Sequence, residues 1–211
     1  MHGCETLCGG HSPRAGYRVV VTMMLTWQGS EGRALESSRV LFGQGGLRTF
    51  GRVVRVSPDG SAFTASYRLS VGESGVLSRL SLNSASAQRE RALTLSRSDD
   101  GYWLLDTGSG GSRAEFDGAV DVDLQYSPLF NALPIRRLRL HHEAGDHLVP
   151  VVFVSLPTLE VQLVRQRYRT VSVLNDTGRA VVEFSSKDFT ADLTVDAQGL
   201  VVDYPGLATR L

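Results

Sequence analysis

Helical periodicity is almost absent from this chain. Apolar and polar residues alternate instead with a period of two, and glycine-bearing turns recur at short intervals. Alternation runs through Leu47 to Val56, Ala62 to Val71, Val76 to Leu82, Ala92 to Ser96, Val120 to Tyr126, Thr158 to Val173, Ala180 to Phe184 and Thr190 to Val195, with shorter stretches between. Pro58-Asp59-Gly60, Asp99-Asp100-Gly101, Asp176-Thr177-Gly178 and Ala197-Gln198-Gly199 each place glycine where a hairpin needs positive φ. Many short strands with such turns predict an all-β fold, an antiparallel roll or barrel-like sheet. The strongest helical signal is one short turn near residues 127–131, with Ser127 as cap and Pro128 in the first helical position.

The second half echoes the first. Tyr67-Arg68 returns as Tyr168-Arg169 and Leu93-Thr94-Leu95 as Leu193-Thr194-Val195, in both cases about one hundred residues on, and Gly101 and Asp106 are answered by Gly199 and Asp203. This predicts an internal duplication of a β-meander. The copies are expected to join in one domain over residues 24–211, because open sheet edges invite aggregation. Residues 1–23 read as a disordered N-terminal extension. It carries Cys4 and Cys8 beside His2 and His11, but no second ligand pair lies downstream, so no metal site is expected. Met23 and Met24 offer translation starts alternative to Met1. Arg14 and Arg18 precede the apolar run Val19 to Leu25, yet no small-x-small cleavage site follows, and no run approaches the roughly 20 apolar residues a membrane helix needs. The expected location is cytoplasmic.

Charge is balanced, 22 basic against 22 acidic residues, so a basic nucleic-acid-binding face is not expected. Every basic residue but Lys187 is an arginine, whose fork grips carboxylate or phosphate in bidentate fashion.

Residues 120–126 read V-D-V-D-L-Q-Y, with Asp121, Asp123 and Gln125 on one strand face. Pro134 to His141, P-I-R-R-L-R-L-H, reads as the next strand, with Arg137, Arg139 and His141 on one face. A hairpin across the 127–131 turn would bring the two faces together. The result reads as an Asp–Arg ladder worth about 0.2–1 kcal/mol per exposed pair, or as a polar ligand site. It also reads as a hydrolytic pair, since carboxylates roughly 6–7 Å apart suit glycoside hydrolysis. Adjacent arginines would lower the pKa that a general acid needs raised.

Arg165, Arg167 and Arg169 continue a face begun by Leu159, Val161 and Leu163. Inside a curved sheet this face would suit a ligand with an apolar tail and an anionic or polyhydroxy head. Alternatively the strand leaves the core for solvent, with a bulge near Val164-Arg165. His141, His142 and His147 with Glu143 and Asp146 read as a polar loop around Gly145, because adjacent histidines on a strand face opposite ways. No G-x-S-x-G elbow is present. Ser109-Gly110-Gly111-Ser112 lacks the following helix that would bind phosphate.

The stretch from Asp121 to Leu138, D-V-D-L-Q-Y-S-P-L-F-N-A-L-P-I-R-R-L, resembles the central signature of the bacterial "putative glycolipid-binding" family, formerly a domain of unknown function. That signature runs D-x-D-[LI]-x-x-[ST]-P-x-x-N-x-[LT]-P-I-R-R-L. The resemblance continues at Gln166-x-Tyr168 and Asp196-x-x-Gly199-x-Val201-x-Asp203-Tyr204-Pro205, begins near Trp27 and Glu36, and covers residues 24–206; the N-terminal extension departs from it. It implies a roll similar to bacterial lipid and lipoprotein carriers with an apolar cavity. The implied protein is non-enzymatic, without a cofactor, and holds an amphipathic ligand, in the family's name a glycolipid. Each buried CH₂ of a tail would contribute about 0.8 kcal/mol. The head would be held by arginine forks and stacked on Trp27 or Tyr168. The candidate ligand-binding residues are Trp27, Asp121, Asp123, Asn131, Arg137, Arg139, Arg165, Arg167, Tyr168 and Arg169. Two other readings stand beside this one: a hydrolase acting on a sugar or ester through Asp121 and Asp123, and a structural or protein-interaction domain. Carriage requires a hollow interior on the order of several hundred Å³.

Overall fold

The computed structural model describes residues 21–43 and 46–211. Eight strands come first: β1 (Val21–Gly29), β2 (Ala34–Gly43), β3 (Gly46–Val56), β4 (Ala62–Val71), β5 (Leu77–Ser86), β6 (Glu90–Arg97), β7 (Trp103–Asp106) and β8 (Gly111–Ala114). They form an antiparallel meander. β9 (Asp121–Leu124) and helix α1 (Pro128–Arg137) follow. A second antiparallel run comprises β10 (Asp146–Val154), β11 (Val161–Ser172), β12 (Arg179–Ser186), β13 (Phe189–Asp196), β14 (Val201–Tyr204) and β15 (Ala208–Arg210). β15 pairs with β1 and joins both runs into one sheet, while β9 adds to β10 in parallel. The four turn glycines Gly60, Gly101, Gly178 and Gly199 all take positive φ, between 69° and 88°.

The sheet does not close into a barrel by strand pairing, but it rolls. The Leu77 amide of β5 donates to the Val120 carbonyl at 3.1 Å, and the Trp103 indole of β7 donates to the Ala119 carbonyl at 3.0 Å. β9 and β10 thereby become a wall shared by two cores. Val122 and Val152 face the larger core with Trp27, Leu80, Leu95 and Trp103. Val151, the register partner of Asp121, faces the smaller one with Tyr168, Val182 and Leu193.

Helix α1 fills the concave side where a hollow was expected. Leu129, Phe130 and Leu133 pack into the larger core and Ile135 into the smaller. The helix is ten residues long, so it replaces the expected strand from Pro134 to His141. The local alternation R-L-R-L misled the reading, and Pro134 within a helix normally breaks it. Every residue from Pro128 to Ile135 is buried, so no exposed stripe betrays the helical period. Most of the predicted N-terminal extension lies outside the described residues, as do Cys4 and Cys8. Val21 to Met23, assigned to that extension, belong to β1 and pair with Phe42 to Val40.

Gly51 on β3 faces Tyr67 on β4, and a Cβ there would lie 2.1 Å from the tyrosine ring. Gly51→Ala is therefore expected to destabilise the fold by about 1–3 kcal/mol through overpacking, read as a lower urea midpoint. An unchanged midpoint would mean that the ring moves aside freely.

Candidate functional site

Two buried polar clusters pin α1. At its N-terminus Ser127 takes the cap position but makes no capping bond; its hydroxyl donates instead to Glu36 Oε1 at 2.7 Å. The Tyr67 hydroxyl donates to the same oxygen at 2.5 Å and pairs with Ser38 Oγ at 2.6 Å. Glu36 Oε2 is buried without a hydrogen-bond partner among the described residues. Burial pushes the Glu36 carboxyl up to about 7, against the pull of those hydroxyls.

The second cluster lies toward the smaller core. Arg137, at the end of α1, grips Asp121 with Nε at 3.3 Å and Nη2 at 2.5 Å. Burial nevertheless raises the Asp121 pKa, and outweighs the arginine. Gln166 donates to Asp123 at 2.7 Å, Tyr168 donates to Gln166 at 3.0 Å, and Asn131 of α1 donates to Tyr168 at 3.1 Å. Burial pushes the Asp123 carboxyl up to about 6. The expected meeting of Asp and Arg therefore occurs, but through the helix end and not through a hairpin of two strands. Neither carboxylate lines the cleft at the helix end.

The last turn of α1 opens onto a cleft of about 590 Å³, walled by Leu133, Arg136 and Arg137, by the end of the β2–β3 hairpin with Phe42 and Leu47, and by the turn from Val71 to Gly75. The Arg136 guanidinium sits 4.3 Å from the centre of the Phe42 ring and also donates to the Gln198 carbonyl. Desolvation pulls the Arg136 pKa down. Two glycines hold the pair in place. A Cβ on Gly75 would come within 2.9 Å of Arg137 Cβ, and one on Gly199 within 2.9 Å of Arg136 Cγ. The cleft thus combines two fixed guanidiniums, that of Arg137 engaged by Asp121, with Glu73 of the facing turn and with apolar Phe42, Leu47, Val71 and Leu133, at the helix end whose dipole favours cations.

Of the residues expected to bind ligand, Arg137 lines this cleft. Trp27 is a core side chain whose indole donates to the Val201 carbonyl at 2.9 Å, and Tyr168 is equally buried, so neither offers a stacking face. Asn131 is spent on Tyr168. Arg139 lies in the turn after α1 at φ 56° and pairs with Glu143. Arg165, Arg167 and Arg169 face solvent and pair with Asp117, Asp146 and Glu183. Strand alternation puts them opposite the buried Gln166 and Tyr168, so the strand stays on the core, and its register shift falls between Thr170 and Ser172 and not near Val164-Arg165. His141 is buried and its ring lies tilted against that of His142, centroids 4.1 Å apart, in the same turn, where a strand would have set the rings apart. Sequence reasoning missed Arg136 and Phe42. The doublet Arg136-Arg137 was visible, but a strand sends the two to opposite faces, whereas the helix end brings both to one cleft.

A model of the family described as "Putative glycolipid-binding" matches residues 24–210. The crystal structure of a DUF1089 family protein from Pseudomonas aeruginosa is similar, with a TM-score of 0.64 and 26% identity over 98% of this chain and 100% of that one. A β-barrel-like protein of DUF1849 from Brucella abortus shares the fold at a TM-score of 0.51 and 9% identity, over 90% of this chain and 93% of that one. No functionally curated protein matches the chain significantly.

Proposed function

We propose, given that the chain belongs to the family described as "Putative glycolipid-binding", that it holds an amphipathic ligand non-covalently in the cleft at the end of α1. One observation carries the reading. Arg136 and Arg137 are fixed side by side over the apolar floor of Phe42, Leu47, Val71 and Leu133, in a volume of about 590 Å³, which is the size of small-molecule sites. Arg136 together with Glu73 suits a polyhydroxy head and the apolar side chains suit the start of a tail; a glycolipid has both parts. The buried side chains of α1 fill the interior that enclosing a whole tail would require, so the site lies at the rim of the roll and takes a head with only the first carbons of a tail.

The hydrolase alternative has the raised carboxyl pKa values a general acid needs, but Asp121 is covered by Arg137, Asp123 is held by Gln166 beneath the helix, and neither lines the cleft where a substrate would sit. We also read β4–β6 and β11–β13 as duplicated units. Tyr67 and Leu93 stand two strands apart in the first, and Tyr168 and Leu193 stand two strands apart in the second.

Native mass spectrometry of protein purified from its host is expected to show bound lipid, and lipid extracts are expected to raise its melting temperature. Arg136→Ala removes one charged donor and should weaken binding roughly tenfold without touching the Asp121 pair. Ligand-free protein whose melting temperature ignores lipid extracts would overturn the reading.

A further inference from the structure

The balanced net charge conceals a segregated surface. On β2 to β5, Arg39, Arg48, Arg52, Arg68 and Arg79 are all exposed. The strand register places them on one face. Arg39 and Arg68 flank Phe50, Arg52 stands between Ser37 and Ser66, and Arg48 and Arg79 both oppose Ser70. None of the five makes an ion pair among the described residues; the arginines that do are Arg137, Arg139, Arg165, Arg167, Arg169 and Arg210. Of the acidic side chains on this face, Asp106 stands on β7 and Asp203 on β14, and Glu90 on β6 shares a neighbouring trough with Arg52 without forming an ion pair to it. Arg39, Arg52 and Arg68 converge with Ser37, Ser66 and Ser81 on an open trough of about 570 Å³.

We propose that this outer face docks the protein on an anionic lipid surface. Unpaired arginine forks match phosphodiester headgroups in charge and geometry. The same rows carry exposed apolar side chains, Met24 at 65% and Phe50 at 42%, with Val54 and Leu35 beside them. Such residues enter the headgroup layer while arginines reach its phosphates. A single-stranded nucleic acid would need a series of exposed aromatic stacking platforms, and of the two aromatic residues at the trough Phe50 is exposed while Tyr67 is buried. The surface is separate from the cleft and does not depend on its ligand. Arg48 nevertheless adjoins Leu47 of the cleft wall, so docking sets the cleft mouth near the bilayer.

The test is co-sedimentation with vesicles of phosphatidylcholine containing phosphatidylglycerol, against phosphatidylcholine alone. The protein is expected to sediment with the anionic vesicles, to release as salt rises, and to ignore the neutral ones. A triple variant, Arg39→Gln with Arg52→Gln and Arg68→Gln, should keep its melting temperature and partition about a hundredfold more weakly. Phe50→Ser should weaken partition while leaving its salt dependence intact. Arg136→Ala should dock like the wild type, so loss of the cleft reading would leave this one standing. Equal binding to neutral vesicles, no binding to anionic ones, a folded triple variant that still sediments, or binding to duplex DNA without vesicle binding would each overturn the proposal.

Discussion

Arg137→Ala is expected to lower the unfolding free energy by about 3–5 kcal/mol, because it strands a buried carboxylate. Asp121 is 1% exposed and leans on Arg137 through both of its oxygens. Removing the cation leaves nothing to offset the desolvation of the anion. Asp121→Asn should cost less, since the neutral amide can stay buried beside an arginine that is itself partly exposed. Arg137→Lys should rescue only part of the loss, because a point charge cannot grip both oxygens. Burial already raises the Asp121 pKa with the arginine in place. Without it the carboxyl should take up a proton, so the penalty should grow with pH. Urea unfolding at two pH values measures both effects. A loss below about 1 kcal/mol would mean that Asp121 reaches water once Arg137 is gone.

The strands were legible because their alternation is enforced by burial on one side, as in β3, where Leu47, Thr49, Gly51 and Val53 are inside and Arg48, Phe50, Arg52 and Val54 outside. The family signature was legible as a string, and its segment proves to be where β9 and α1 interlock. What the string did not reveal is that Pro134 to Arg137 are helical, because tertiary burial on all sides fixed the helix against local preference. Glu36 escaped notice for a related reason. On β2 the usual pattern is reversed at one step, with Leu35 outside and Glu36 inside. Its partners Tyr67 and Ser127 lie 31 and 91 residues away. The arginine face was hidden by the balance of the total charge. It appears only when the fold sets Asp117, Asp146 and Glu183 against Arg165, Arg167 and Arg169 and leaves Arg39, Arg52 and Arg68 without an ion pair among the described residues.

Glu36→Gln is expected to become more stable relative to wild type as pH rises from 5 to 8, by about 2.5 kcal/mol across the range. The Glu36 pKa is about 7 in the folded protein against an ordinary 4.5. A carboxyl with a raised pKa binds its proton more tightly in the folded state. Its contribution is therefore complete below pH 4.5 and disappears as pH climbs through 7. Asp123, at about 6 against 3.8, acts with the same sign at lower pH. His141 acts with the opposite sign: burial lowers it from 6.5 to about 4, so it favours folding above 6.5 and penalises it on acidification. The wild type sums these slopes with that of Asp121, and below pH 6.5 the histidine offsets only about one of the carboxyls. Comparison with Glu36→Gln isolates one of them, because the amide oxygen can still accept from Tyr67 and Ser127 while nothing titrates. Most of the gain should fall between pH 5 and 7. Equal urea midpoints for the two proteins at both ends of the range would mean that Glu36 is ionised throughout and that the hydroxyls around it suffice to hold the charge.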